Sequence, residues 1–450
     1  MPACNVHALS YRPDPALWFE RIHSAPGAIL LDSGRPSAAR GRFDLLSAWP
    51  LQQLEPAATE SGDDFFKRLR EALRALGDAE APDGVELPFV GGLLGYLSYD
   101  FGSRLERLPG NAIVDIELSH ARFGLYGWAL ISDHHRKETH LVFHPVMSEK
   151  DRADLIARFD PDEAPPHVTP FTLASPFTAD LVPDQYRSAI ERVQQYIQAG
   201  DCYQVNFAQR FKAPCSGDAW QAFCLLRNAC PTPFSGFMSL GETAIVSLSP
   251  ERFMRVSEGA VETRPIKGTR RRQADAQADQ AEARALLSSP KDRAENLMIV
   301  DLLRNDLSRN CEIGSVKVPE LFRLETYPNV HHMVSSVTGR LAAGKDALDL
   351  LTGSFPGGSI TGAPKIRAMQ IIDELESARR SIYCGSLLYL DVRGEMDSSI
   401  AIRTLLVNEG QVYCWGGGGI VADSDWQDEY QETMDKVTVL LKTLEATLQP

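Results

Sequence analysis

The chain has 450 residues and a formal net charge of −14, with 44% hydrophobic and 24% charged residues. That length can bury a large core and suggests two or three domains, and the acidic balance excludes nucleic acid as the main partner. No apolar run reaches membrane-spanning length, the first residues lack a signal peptide's plan, and the eight cysteines show no C-x-x-C or His/Cys metal spacing, so reduced thiols in a cytoplasmic protein are expected.

Residues 1–160 read as alternating strands and helices. Residues 28–32 form a short apolar strand, and residues 64–76 carry helical periodicity through Phe65, Leu69, Leu73 and Leu76. The Gly- and aromatic-rich run 89–99 suggests a strand packed closely against another backbone. Residues 125–132 and 140–144 are expected as two further strands. No catalytic constellation stands out in this part.

Residues 161–183 hold six prolines with little periodicity and make the best linker candidate. Asp184 then caps an amphipathic helix with Tyr186, Ile190, Val193 and Ile197 on one face, ended by Gly200. Residues 201–207 read as a strand with Gln204 and Asn206 on the same face.

The stretch 249–269 organises the rest. Two alternating segments, 254–256 and 261–263, flank the turn Ser257-Glu258-Gly259, so a hairpin can bring Glu251 near Lys267. Such a Glu/Lys pair is usually a surface pair. Here Gly268 allows close approach, and the like charges of Arg264, Arg270, Arg271 and Arg272 are expected to push the lysine toward the free amine of a nucleophile.

Ser289-Pro290 opens a helix on which Asp292 and Glu295 share a face at i, i+3. Residues 423–425 cap another, where Glu429, Glu432 and Lys436 fall at i, i+3 and i+7. Carboxylate pairs on two helices can hold one Mg²⁺ between them, although either pair alone reads as a solvated face. Residues 329–334 put His331 and His332 on opposite faces of a strand. The loop 354–365 (SFPGGSITGAPK) leads into a helix with Lys365 at its start, anion-friendly but without the spacing of a phosphate loop. Residues 399–407 read as a buried strand interrupted by Arg403, whose charge calls for an anion such as a substrate carboxylate. Gly416–Gly419 end a further strand and offer backbone donors, without dinucleotide-loop spacing.

The ordered motifs SPERF, PIKGT, KDRAEN, HHMVS, FPGGSITGAPK, YCGS, IRTLLV, GGGG and DEYQETMDK resemble the chorismate-utilising family that includes anthranilate, isochorismate and salicylate synthases. The match covers residues 184–450 as the catalytic region, and residues 1–160 are similar to the family's N-terminal segment. The resemblance implies an α+β fold of two large packed β-sheets flanked by helices, with 161–183 as a surface crossing if the N-terminal part joins the same body. PIKGT is the mark of the branch that aminates chorismate at C4, on the path to p-aminobenzoate and folate; anthranilate synthases usually read PIAGT.

The resemblance further implies that Lys267 attacks C2 of chorismate and displaces the C4 hydroxyl, with Glu251 as general acid, after which ammonia adds at C4 and expels the lysine. Gln204 stands where water-adding members carry a lysine base. Glu295 and Glu432 match direct Mg²⁺ ligands, with Asp292 and Glu429 acting through water. Arg403, Tyr383, Ser359, Lys436 and the backbone of Gly417, Gly418 and Gly419 match substrate contacts, and His332 matches an active-site histidine. Leu31-Asp32-Ser33 departs from the Leu-Glu-Ser of feedback-regulated relatives, so tryptophan inhibition is not expected. No glutaminase constellation follows residue 440, so ammonia is expected from a separate glutamine amidotransferase subunit. The rival readings are an anthranilate-forming enzyme of the same fold and a non-catalytic amidotransferase-binding subunit.

Overall fold

Ser61 accepts a hydrogen bond from the Asp64 N–H, and the helix Gly62–Leu76 starts there, with Asp63 and Asp64 in its first turn and Arg74 in its last. Such a cap contributes about 1 kcal/mol, and the acids and base complement the helix dipole. The helix buries Phe65, Phe66, Leu69, Ala72 and Leu76, the face its periodicity predicts. This is a computed structural model, and it describes residues 1–38, 41–159, 168–327 and 330–448.

Among those residues the strands form two sheets, of thirteen and ten strands. The larger runs from Asn5–Leu9 through Ile29–Asp32, Phe234–Ser239, Ala244–Ser249, Thr404–Asn408 and Gln411–Ile420 to the long strand Gln204–Ser216. The smaller runs from Ile266–Arg271 through Val330–Arg340, the hairpin, Met396–Ser399, Ser386–Asp391, Gly92–Leu97 and Ala121–Tyr126 to Gln52–Leu54. The sheets face each other: Gly236 of the larger has no side chain, and the Leu387 methyl of the smaller takes that space. One apolar cluster draws on both sheets, through Val205 and Ile245 on one side and Leu94 and Leu388 on the other. A second cluster seats helices Ala219–Ala229 and Trp426–Glu445 on the larger sheet through Phe223, Val246, Val437 and Leu440. The expected architecture of two packed sheets with flanking helices is the one found.

N-terminal strands belong to both sheets. Ile29–Asp32 pairs with Phe234–Ser239, and Gly92–Leu97 pairs with Ser386–Asp391. Gly95 meets the backbone of Arg122 and Phe123 where a Cβ would stand, the close approach read from that glycine-rich run.

Three local expectations need correction. Residues 125–132 are two strands, because the chain leaves the smaller sheet at Tyr126 and enters the larger at Trp128. Residues 399–407 likewise divide: Met396–Ser399 lies in the smaller sheet and Thr404–Asn408 in the larger, with Arg403 at φ +50° in the crossing. Asp184 does not cap its helix, which begins at Pro183 behind Val182; Asp184 sits in the first turn. Of the linker candidate, residues 161–167 lie outside the described residues, and Thr172–Leu173 and Thr178–Ala179 pair along the strand Gln204–Ser216. No helix among the described residues is long and apolar enough to cross a membrane.

Candidate active site

The hairpin Arg252–Ser257/Ala260–Thr263 turns through Glu258 and Gly259, at φ +49° and +74°. Two positive φ values make the tight turn that matches strand twist. Beyond it, Ile266–Arg271 pairs with Val330–Arg340, and the register slips between Ile266 and Thr269. Lys267 and Gly268 fill that irregularity, Gly268 at φ +87°. A Cβ on Gly268 would press on Leu286 and Asp292. Glycine is therefore required by both conformation and space, and a bulge of this kind re-aims the side chain beside it.

Ser359 joins the two reacting groups. Its hydroxyl donates to Oε1 of Glu251 at 3.1 Å, and its carbonyl accepts from Nζ of Lys267 at 3.1 Å. Burial pushes the Glu251 carboxyl up to about 7, against the opposing pull of Lys267, the Ser359 hydroxyl and the Ile266 N–H. Burial also lowers the Lys267 amine below its ordinary value, with Glu251, Glu295 and Glu432 opposing and Lys436 assisting. The arginines named from the sequence are not the cause. Arg264 pairs with Glu325, Arg270 with Asp292, Arg271 with Asp435 and Arg272 with Asp279, so their charges are compensated, and desolvation takes the role assigned to them.

Helices Pro290–Ser308 and Trp426–Glu445 bring the carboxylates to this place. Ser289 caps the first by accepting from the Asp292 N–H, and Asp425 caps the second by accepting from the Gln427 and Asp428 N–H groups. Burial raises the Glu295 pKa; Lys267 and Lys291 oppose the rise, and Glu432 and Asp292 reinforce it. Burial likewise raises Glu429, which accepts from the Ser424 hydroxyl at 2.7 Å. Lys436 holds Glu432 below its ordinary value and pairs with it at 2.7 Å. Asp292 is bound to Arg270 at 2.7 Å. Among the described residues no three candidate ligands already form a metal cluster. The donor set itself, carboxylates from two helices with Glu432 raising both Glu295 and Glu429, suits a hard divalent cation.

The glycine run is a strand, Gln411–Ile420, paired along one edge with Gln204–Ser216. On its other edge Thr404–Asn408 pairs only as far as Cys414, which leaves that side of Gly416–Gly419 open. The missing side chains supply room. A Cβ on Gly418 would come 3.2 Å from Glu429 Oε2 and 3.7 Å from both Glu432 Oε1 and Lys436 Nζ, and one on Gly419 would overlap the Gln204 amide. Lys436 Nζ donates to the Gly417 carbonyl at 2.9 Å. Gln204 is fully buried, and among the described residues neither amide atom has a hydrogen-bond partner.

Tyr383 lies nearly parallel to Trp415, with ring centroids 6.2 Å apart. Among the described residues Arg403 has no carboxylate at ion-pair distance; its guanidinium contacts the Cys230 sulfur at 3.8 Å, and its charge helps burial to lower His332 to about 4. His332 is thus neutral near pH 7, with Nδ1 2.9 Å from the Thr269 hydroxyl. Asn329, at the start of the histidine segment, lies outside the described residues.

Sequence reading left two features without a role. Asn206 Nδ2 donates to the Ser359 carbonyl at 3.2 Å. Glu376 and Arg380 form a buried ion pair at 2.7 Å, whose signal was two opposite charges four residues apart beyond the end of the apolar helix Lys365–Leu375.

A family model described as chorismate binding enzyme matches residues 27–442. The aminodeoxychorismate synthase component 1 of Klebsiella aerogenes is 48% identical over 452 residues, covering 98% of each chain. The protein of that name from Escherichia coli strain K12 is 48% identical over 453 residues, again covering 98% of each. Among solved structures, anthranilate synthase component I from Streptococcus pneumoniae superposes with a TM-score of 0.76 at 31% identity, covering 89% of this chain and 92% of that one.

Proposed function

The chain belongs to the chorismate-binding enzyme family, and from that premise we propose how its residues aminate chorismate to 4-amino-4-deoxychorismate. The observation that carries the proposal is the Ser359 bridge: a partly buried amine and a buried carboxyl meet at the two polar ends of one residue. Burial disfavours charge on both, so the state with a neutral Lys267 and a protonated Glu251 is the reactive one. Neutral Nζ forms a bond to C2, the ring double bonds shift, and the C4–O bond breaks as Glu251 delivers its proton, releasing water. Ammonia then bonds to C4, the double bonds shift back, and the C2–N bond to lysine breaks. The proton shed by the incoming ammonia returns to Glu251, which closes the cycle.

Arg403, uncompensated by any described carboxylate, faces a need that a substrate carboxylate meets bidentately. Tyr383, the open edge of Gly417–Gly419 and Lys436 line the remaining surface. Gln204 offers an amide in place of a base, which leaves water unactivated. Glu295 and Glu432, with Asp292 and Glu429 behind them, would hold Mg²⁺, which supplies neutralisation of a substrate carboxylate when bound. His332, neutral and hydrogen-bonded, is suited to contact and not to ion pairing. The name component 1 in the relatives supports a partner component, read here as a glutamine amidotransferase subunit that supplies ammonia. All eight cysteines are free thiols, which supports a reducing compartment, the cytoplasm.

The test is product identification from chorismate, Mg²⁺ and excess ammonium, followed by an aminodeoxychorismate lyase. A product that the lyase converts to p-aminobenzoate is expected; anthranilate with pyruvate would overturn the reading.

A further inference from the structure

Bonded to the residue after Ser359 lies a second charged pair that the reaction scheme leaves unused. Arg380 is 2% exposed and Glu376 7% exposed. The guanidinium meets the carboxylate through two hydrogen bonds, Nε to Oε2 at 2.9 Å and Nη2 to Oε1 at 2.7 Å. Two more of its donors go to main chain: Nη1 to the Ile360 carbonyl at 3.0 Å and Nη2 to the Asn206 carbonyl at 2.6 Å. Glu376 Oε1 also accepts the Ala208 N–H at 2.9 Å. One ion pair therefore ties the residue after Ser359 to the strand Gln204–Ser216.

Asn206 completes the link from the strand side. Its N–H donates to the Thr361 carbonyl at 2.8 Å, and its amide donates to the Ser359 carbonyl at 3.2 Å. That carbonyl is the one that accepts Lys267. Residues 359–361 thus have each carbonyl held from the strand or from Arg380, which fixes the carbonyl end of Ser359. The single 3₁₀ turn Gly358–Ile360 bonds internally only to the Gly357 and Gly358 carbonyls, so those of Ser359 and Ile360 take outside donors. The Arg380 charge also sits 4.6 Å over the Tyr99 ring, so the guanidinium is packed as well as paired.

We propose that Glu376 and Arg380 are a positioning pair for the covalent step: Arg380, held by Glu376, donates to the Ile360 and Asn206 carbonyls and so sets the Ser359 carbonyl that aims the Lys267 amine at the substrate. This rests on the function proposed above. The pair touches neither substrate nor the reacting atoms and acts through Ser359 and Asn206. A lysine at 380 has the charge but not the planar fork, so it cannot serve Glu376 and both carbonyls together.

The test is steady-state kinetics of Arg380→Lys and Glu376→Gln with chorismate, Mg²⁺ and saturating ammonium, on chains shown to be folded by circular dichroism and gel filtration. Displacing a reacting group by about 1 Å can cost about a hundredfold in rate. The expected result for Arg380→Lys is a kcat lower by about tenfold or more, with KM for chorismate within about threefold. Glu376→Gln keeps one acceptor oxygen and is expected to show the same split with a smaller loss. It serves as the readout if Arg380→Lys does not fold. A kcat per folded molecule equal to that of the parent chain would overturn the proposal. So would a rise in KM at unchanged kcat, which would assign the pair to substrate binding through Tyr383, whose ring centroid lies 5.9 Å from the Arg380 guanidinium. If the parent chain itself makes no aminated product, the functional reading fails before either variant is measured.

Discussion

Replacing Lys365 by Met is the perturbation whose cost follows most directly from the structure. The lysine side chain is 14% exposed, the Asp306 side chain 1% exposed, and they meet at 2.8 Å. Lys365 also donates to the Ser354 carbonyl at 2.8 Å, and among the described residues Oδ1 of Asp306 has no hydrogen-bond partner. Methionine keeps most of the stem and removes the charge, so Asp306 becomes a buried, uncompensated carboxylate. Losing one partner of a buried pair costs about 3–5 kcal/mol, and the stranded Ser354 carbonyl adds about 1 kcal/mol. The carboxylate relieves this by taking up a proton. Burial already raises its pKa, and Lys365 is the main group holding it down, so in the variant the folded value climbs further above the unfolded one. A carboxyl raised in this way binds more protons folded than unfolded, and its contribution to stability is present at low pH and lost as pH rises. The deficit therefore opens between the carboxyl's value in the parent chain and its higher value in the variant, at up to about 1.4 kcal/mol per pH unit. Urea unfolding of both chains at about pH 5 and about pH 8 should show a deficit larger by about 2 kcal/mol or more at the higher pH. Adding Asp306→Leu should recover most of the loss. A deficit that does not change with pH, or one below about 1 kcal/mol at about pH 8, would refute the reasoning.

Four further outcomes are expected. Glu251 titrates near 7 because it is buried, and it serves the leaving hydroxyl only when protonated. The rate of the first half-reaction, measured before ammonia is added, should fall about tenfold per unit above that pH, and Glu251→Gln should lose about 10²–10⁴-fold. Ser359→Ala removes a hydrogen bond that favours the charged carboxylate, so the same alkaline limb should move upward by roughly one pH unit; a downward move would contradict the assigned direction of that bond. Gly419→Ala should lower both stability, by about 1–3 kcal/mol, and turnover, because its Cβ meets the Gln204 amide. Gly259→Ala, at φ +74° with open space around it, should cost about 1–2 kcal/mol from its backbone alone and leave turnover per folded molecule unchanged.

The parts of this structure that were legible in the sequence are those set by local rules. The hairpin at 252–263 was readable because Glu258-Gly259 accepts positive φ between two alternating segments. The caps at Ser289 and Asp425 were readable because each side chain needs only the N–H groups two or three residues on. Sheet membership was not readable. Residues 125–132 and 399–407 each look like one strand, yet the chain crosses from one sheet to the other inside both, and a strand's partner leaves no trace in its own alternation. Charge compensation was hidden for the same reason. The arginines around Lys267 looked like an electrostatic source until their distant carboxylates were in view. Lys365, read as part of an anion-friendly loop, spends its charge on Asp306, 59 residues away. Lys267 and Glu251 themselves were found by proximity across a hairpin, but the residue that joins them, Ser359, comes from a loop 92 residues beyond the lysine.

The central claim is that Lys267 bonds to the substrate ring. It is tested most directly by the intact mass of the protein after rapid acid quench of a reaction with chorismate and Mg²⁺ but no ammonia source. The account predicts a transient species heavier by one chorismate less one water, mapped by peptide digestion to Lys267, absent from Lys267→Ala and discharged when ammonium is added. Aminated product formed by Lys267→Ala at the parent rate, with no adduct in either chain, would contradict it.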